Sequence, residues 1–313
     1  MPNLESNNKD IKIDLFKILE LLWTKKIIVI SCTLLFTFLA GLYSFFLPNV
    51  YKSETVVFAD SGISSISQLK NQYAGIASLT GISIPASNEV NKTEMGIEIL
   101  ESYSFFVDFI QDNDLFLPLI ASKGWNKELD KIIFDENIYN TSEEKWVSDI
   151  RFSVNGKPTL QYAHRKFLSE HLSISKNRET GFITIGFKHN SPNVAKKFIE
   201  LLVKDINETI KTKDVLEAKK AIKYLEKEIV GTSLTEVKSG LNSLIQSQIE
   251  TIMLSNSTDE YHFKTLSHPI APEVIYSPQR ALIIFYSFIF GIFFSTLLVV
   301  TKDIFFNKNS KAF

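Results

Sequence analysis

The chain has 313 residues, 45% hydrophobic, 12% aromatic and 22% charged, a composition too apolar for a disordered protein. Thirty-four Lys and Arg stand against 35 Asp and Glu, a formal net charge of −1. No net basic field is available to hold a nucleic-acid backbone, so no nucleic-acid partner is expected.

In chain order, Asp14 to Trp23 places Leu15, Leu19 and Leu22 on one side at helical spacing, widened by Phe16 and Trp23. Two readings stay open: an amphipathic helix at the membrane surface, or an extension of the apolar stretch that follows. Residues 27–47 are 21 residues without a charged side chain, and residues 281–300 are 20 more. At about 1.5 Å per residue each reaches about 30 Å, the hydrocarbon thickness of a bilayer. The first run is longer than a signal-peptide core of about 7–15 residues, and 26 residues precede it, so an uncleaved anchor is expected.

Loop charges set the expected orientation. Near the span ends the tails carry Lys12, Lys17, Lys25, Lys26, Lys302, Lys308 and Lys311, while the intervening side carries Lys52 and Arg280. The positive-inside bias places tails 1–26 and 301–313 in the cytoplasm and residues 48–280 outside. The single cysteine, Cys32, lies in the first span, so the outer domain folds without disulfides. A bacterial inner-membrane protein facing the periplasm fits best, with membrane lipid as a partner.

Within the outer segment, Tyr51–Phe58 reads as a strand. Residues 61–87 are rich in small residues, and period does not decide between loop and helix. Thr93–Ile110 carries Met95, Ile99, Tyr103, Phe106 and Ile110 at helical spacing and predicts one helix; Leu115–Ser122 predicts another, stopped by Gly124. Residues 135–158 read as loop and Pro158–Leu168 as helix. Leu172–Lys176 and Phe182–Lys188 predict a hairpin turning at Gly181. Ser191-Pro192 then predicts an N-cap with Pro at the first helical position.

That helix is expected to run to Val230. Val215, Ala218, Ile222, Leu225 and Ile229 step by 3 and 4. After Gly231, the capping-box pattern Ser233-Leu-Thr-Glu236 opens a second helix with Leu234, Val237, Leu241 and Leu244 on one side. Two such helices predict an antiparallel hairpin over about 193–254. Ile222, Leu225, Ile229 and Leu241 are the candidate seam residues, for packing within the chain or between copies of it.

The motifs of common chemistry are missing from the sequence. It has no GxxxxGK[ST] phosphate loop and no GxSxG nucleophile elbow. Among His164, His171, His189, His262 and His268 no pair has the i, i+4 spacing of a zinc helix. His164 and His171 read as solvated surface. No catalytic residue, cofactor or metal is expected, and the protein is read as not an enzyme.

Before the second span runs His268-Pro-Ile-Ala-Pro-Glu-Val-Ile-Tyr-Ser-Pro-Gln-Arg280, a Pro-rich return strip that excludes helix. Ser277 is expected to cap the span helix with Pro278 at its first position. Gly291 and Ser295 form a small-xxx-small pair. Together these residues resemble the polysaccharide co-polymerase family, the Wzz-type chain-length determinants of bacterial surface polysaccharides. The family signature Pro-x2-Pro-x4-Ser-Pro-Lys-x11-Gly-x3-Gly is met by Pro269, Pro272, Ser277, Pro278 and Gly291. Gln279 replaces the Lys and Ser295 the last Gly. Asp14-Leu-x2-Ile-x3-Leu-Trp23 and Tyr51-x-Ser53 are similar to the family's opening.

The resemblance implies an α+β membrane protein with two transmembrane helices flanking a periplasmic α/β base domain and a helical hairpin projection. It implies a ring-shaped homo-oligomer that regulates polysaccharide chain length, O-antigen or related, with a membrane polymerase and a lipid-linked glycan as partners. Two other readings are expected to be separable from it. One is a capsule or exopolysaccharide export component contacting an outer-membrane channel. The other is a periplasmic sensor, disfavoured because only 13 residues follow the second span.

Overall fold

A computed structural model describes residues 22–59 and 92–309. The reading of Asp14–Leu21 as amphipathic helix and that of residues 61–87 lie outside the described residues. The elements run α1 (Lys26–Phe46), β1 (Tyr51–Ala59), α2 (Lys92–Glu101), α3 (Tyr103–Asp112), α4 (Phe116–Ala121), β2 (Ser122–Asn126) and β3 (Lys131–Phe134). Then follow β4 (Tyr139–Asn140), β5 (Lys145–Trp146), β6 (Ser153–Val154), β7 (Lys157–Pro158), α5 (Leu160–Lys166) and a π-helical turn, Phe167–His171. The chain closes with β8 (Leu172–Lys176), β9 (Ile183–His189), α6 (Pro192–Gly231), α7 (Thr235–Ser257), β10 (Phe263–Ser267) and α8 (Arg280–Asn309).

Two compact units result, a helix pair (residues up to Pro48 and from Ser277) and an α/β body (Asn49–Tyr276). In the helix pair, α1 and α8 are both long and apolar enough to cross a membrane, and only 11% and 17% of their apolar windows are buried within the fold. A core helix of a water-soluble protein would bury most of such a window. The outward side chains are large and apolar, among them Phe38, Phe46 and Phe293.

In the body, a four-stranded antiparallel sheet has the order β10-β1-β9-β8. Thr55 faces Ile185 across β1–β9, and Phe187 faces both Ser53 and Leu172. Along β1 the buried side chains alternate as Ser53, Thr55 and Val57, the period of two that one covered face demands. The first half of α6 covers the sheet with Ala195, Phe198, Ile199, Leu202, Ile206 and Ile210. Phe198 stacks on Phe187 with ring centroids 4.2 Å apart. Phe106 and Phe109 of α3 and Phe167 of the π-turn complete the same core.

Several local expectations are corrected. The helix read over 93–110 is two helices, because Ser102 sits in extended geometry (φ −69°, ψ 145°) and its Oγ accepts the Phe105 amide. A serine that caps a new start competes with helix continuation. The capping box at Ser233 does not form. Leu234 occupies the cap of α7 without a side-chain hydrogen bond. α4 ends at Ala121, and Gly124 lies inside β2. Residues 135–158 contain two small hairpins, the second turned by Asn155 and Gly156 at φ 51° and 78°. An Asn-Gly pair is the sequence mark of such a turn. β10 carried no recognisable strand signal.

By contrast, Gly181 has φ 73° in the β8–β9 turn, and Ser191 Oγ accepts the Val194 amide with Pro192 opening α6. α6 is 40 residues long and α7 is 23, joined by three residues. The C-terminal end of α7 returns beside the middle of α6, with Asn256 next to Glu208–Lys219, so the two run antiparallel.

Candidate functional site

In the helix pair, Gly291 meets α1. A Cβ built on it would stand 3.1 Å from Thr33 Cα and 3.3 Å from Thr33 Cγ2, so any larger residue forces the α1 backbone to give way by a few tenths of an ångström. Ser295 is 1% exposed and donates to Ile292 O. On either side, Ser287 Oγ donates to Phe36 O at 3.1 Å, and Phe36 packs edge-on against Phe290 and Phe294. Arg280 Nε donates to Ser44 O at one end, and Lys25 pairs with Asp303 at 3.7 Å at the other. The structure therefore brings Gly291 and Ser295 together at a helix–helix contact.

α8 begins at Arg280 and not at Pro278. Leu282 and Ile283 amides both bond Gln279 O, which puts Gln279 in the capping place and leaves Ser277 and Pro278 outside the helix. The Ser277–Pro278 peptide is cis. Both residues are half-buried.

In the body, the return strip lies along β1 without helix or strand of its own. Ser53 Oγ donates to Ile270 O at 2.8 Å, Thr55 Oγ1 to Ser267 O at 2.7 Å, and the Tyr276 amide to Val50 O at 2.9 Å. The two buried hydroxyls of β1 thus find partners in the strip and the strand before it. Pro269 is buried and Pro272 half-buried. Lys52 and Lys188 Nζ lie 5.3 and 5.4 Å from the Tyr276 ring centre, and Lys52 also pairs with Glu54 at 2.6 Å.

The seam residues Ile222, Leu225, Ile229 and Leu241 are each half-buried. Around them Leu216, Tyr224, Val230, Leu234, Val237 and Met253 are exposed, Val230 by 87%. Exposed apolar side chains are thus spread along both arms of the hairpin.

A residue that the sequence did not announce organises the body. Asn207, 1% exposed on α6, accepts the His262 and Phe263 amides at 2.8 and 2.7 Å and donates to Val203 O and Phe263 O. It fixes β10 to α6. The residue lies among the apolar positions of a helix face, where a lone polar residue is the only available signal.

His164 and His171 are not solvated surface. His164 Nε2 bonds Glu101 O, and His171 stacks on Phe187 while its Nδ1–H donates to Lys188 O at 2.8 Å. Burial holds the His171 pKa down at about 4, and nearby His189, Lys166 and Lys188 add to the effect. His189 is lowered by burial too; its Nδ1 accepts the Ser191 amide, so Nε2–H donates to Pro118 O. Burial and the Asp214 carboxylate raise Tyr261. The Asn137 amide, which Asp135 accepts, lowers Asp135. These groups are locked into structural hydrogen bonds. Among the described residues no three His, Cys, Asp or Glu side chains converge to hold a metal ion.

The chain thus combines two membrane-length helices with a mixed α/β body, whose sequence signature sits where the second helix begins. Residues 11–113 match the model of the Wzz family, chain length determinant protein, a stretch that contains the Asp14–Trp23 and Tyr51–Ser53 residues of the resemblance, while the signature from Pro269 to Ser295 lies outside it. The structure is similar to a full-length bacterial polysaccharide co-polymerase (TM-score 0.41, 13% identity, 95% of this chain and 99% of that one). It is also similar to a fragment of WzzB, the polysaccharide co-polymerase from Salmonella Typhimurium (TM-score 0.32, 9% identity, 73% of this chain and 100% of that one). No curated protein matches the chain.

Proposed function

We propose that this protein is a non-enzymatic regulator of the length of a surface polysaccharide, O-antigen or related, acting as an oligomeric inner-membrane scaffold with a membrane polymerase. The observation that carries the reading is the match of residues 11–113 to the chain length determinant family, a region that takes in α1 and β1. In this reading residues 1–26 and 301–313 are cytoplasmic, 27–47 and 281–300 span the membrane, and 48–280 face the periplasm. Pro269, Pro272, Ser277 and Pro278 set the path of the chain into the second span, and Gly291 with Ser295 packs it on the first. The body meets other copies through the apolar surface of α6 and α7, in a closed ring, beside the polymerase and its lipid-linked glycan. A scaffold needs anchoring, a defined path and a self-associating surface, and no bond-making residue.

The test is deletion of the gene followed by electrophoresis of surface polysaccharide. A changed length distribution, restored by the intact gene, is the expected result. An unchanged distribution with normal amounts overturns the reading, and loss of surface display moves the protein to export.

A further inference from the structure

The sequence has four arginines among many lysines, and the fold brings two of them to one exposed ring. Arg165 Cζ lies 5.2 Å and Arg151 Cζ 5.9 Å from the ring centre of Phe152. Phe152 is 43% exposed, and its other neighbour is Tyr162, with rings 6.3 Å apart and inclined by 22°. α5 supplies Tyr162 and Arg165, three residues apart and so on one helix face. The segment leading into β6 supplies Arg151 and Phe152.

That segment is fixed by its backbone. Phe152 O accepts the Thr159 amide at 2.9 Å, and Ser153 Oγ donates to Ile150 O and Ser148 O at 2.8 and 3.1 Å. Thr159 in turn caps α5 by accepting the Tyr162 amide. The β6–β7 hairpin also carries Lys157, whose ammonium lies 4.9 Å from the Phe116 ring centre. Ion pairs in the body join lysines to carboxylates, and among the described residues none involves Arg151 or Arg165.

A guanidinium leaning on an aromatic face keeps its N–H edge free, is weakly hydrated and is held in place before any ligand arrives. Its fork matches a planar carboxylate with two parallel hydrogen bonds. Two such forks on one rigid aromatic platform suit a flat, carboxylate-bearing ligand with an apolar face. We propose that Arg151, Arg165, Phe152 and Tyr162 form a binding site for an acidic saccharide of the uronic-acid class. The site rests on the reading of the protein as a regulator of polysaccharide length, and gives that reading a direct glycan contact. The arginines take the carboxylates, and Phe152 positions the arginines.

The full chain in nanodiscs is titrated with a galacturonic acid oligosaccharide, a neutral glucose oligosaccharide of equal length and polyglutamate. Only the acidic sugar is expected to bind well. Arg151→Gln and Arg165→Gln should each weaken it by about tenfold or more, the effect of one lost charge-assisted hydrogen bond. Phe152→Leu should weaken it with both charges still present, and Arg178→Gln, at an exposed turn, should leave it unchanged. Equal binding of the neutral sugar or of polyglutamate overturns the proposal, as does an unchanged affinity in the double Arg151→Gln, Arg165→Gln variant. Absence of acidic-sugar binding in a protein whose deletion still alters chain length sinks the site and leaves the scaffold reading standing.

Discussion

At Gly291 the margin for change is a single atom. Any Cβ there presses on the Thr33 backbone, which cannot rotate away as a long side chain can. Gly291→Leu is expected to part α1 from α8. Cysteines introduced at Phe36 and Ser287, in a Cys32→Ser background, should cross-link readily in the parent and several-fold less in the variant. Asn207→Ala leaves the His262 and Phe263 amides buried without an acceptor. At about 1–3 kcal/mol for each orphaned group, a loss of about 3 kcal/mol is expected in denaturant titration of the body's tryptophan signal. The histidines set a pH dependence. His171 titrates at about 4 in the fold against 6.5 unfolded, so the unfolded chain binds the extra proton. The stability it supports is complete above about pH 6.5 and is lost as pH falls toward 4, up to about 3 kcal/mol. Hydrogen exchange at pH 7 and pH 5 should show faster opening at the lower value, and His171→Gln should flatten the difference. Gly291 and Ser295 were legible through their register with the proline signature before the span, since a small-residue pair alone is common in apolar spans. Asn207 was not, since nothing in sequence tells a buried hydrogen-bond hub from an ordinary polar position.

Elements were legible where pattern and punctuation agreed. Ser191-Pro192 and Gly181 each demanded one backbone geometry, and the chain adopts it. Periodicity misled where a cap cut across it: the apolar residues from Met95 to Ile110 keep helical spacing through a break at Ser102. Ser102→Ala is expected to cost about 1 kcal/mol, the usual worth of a lost N-cap, in the same denaturant titration. β10 escaped notice because Phe263–Ser267 is short and its pairing with β1 is a long-range contact with no local cause. On the hairpin, Tyr224→Lys with Val237→Lys changes two exposed side chains and no core contact. The expected outcome is an unaltered circular dichroism spectrum with a smaller complex by native mass measurement in nanodiscs. An unaltered mass would remove this surface from the assembly.

For the molecule as a whole, charge distribution forecasts an orientation. A phosphatase fused after Phe313 should be inactive, and one inserted in the β8–β9 turn at Gly181 active, if the tails lie in the cytoplasm. The reverse pattern would overturn the scaffold reading together with its topology. The architecture was legible in outline because two uncharged runs of 21 and 20 residues have few structural uses. The four-strand order was not, since β1 draws partners from β9 and β10, more than a hundred residues away.

The hydrogen bond from the Tyr276 amide to Val50 O gives the body a common point of departure and return. A domain whose first and last residues touch behaves as a cassette, fit for transfer into a loop of an unrelated host without stretching either partner. Swapping such cassettes between hosts with different anchors would separate what the lipid-embedded portion dictates from what the aqueous portion dictates.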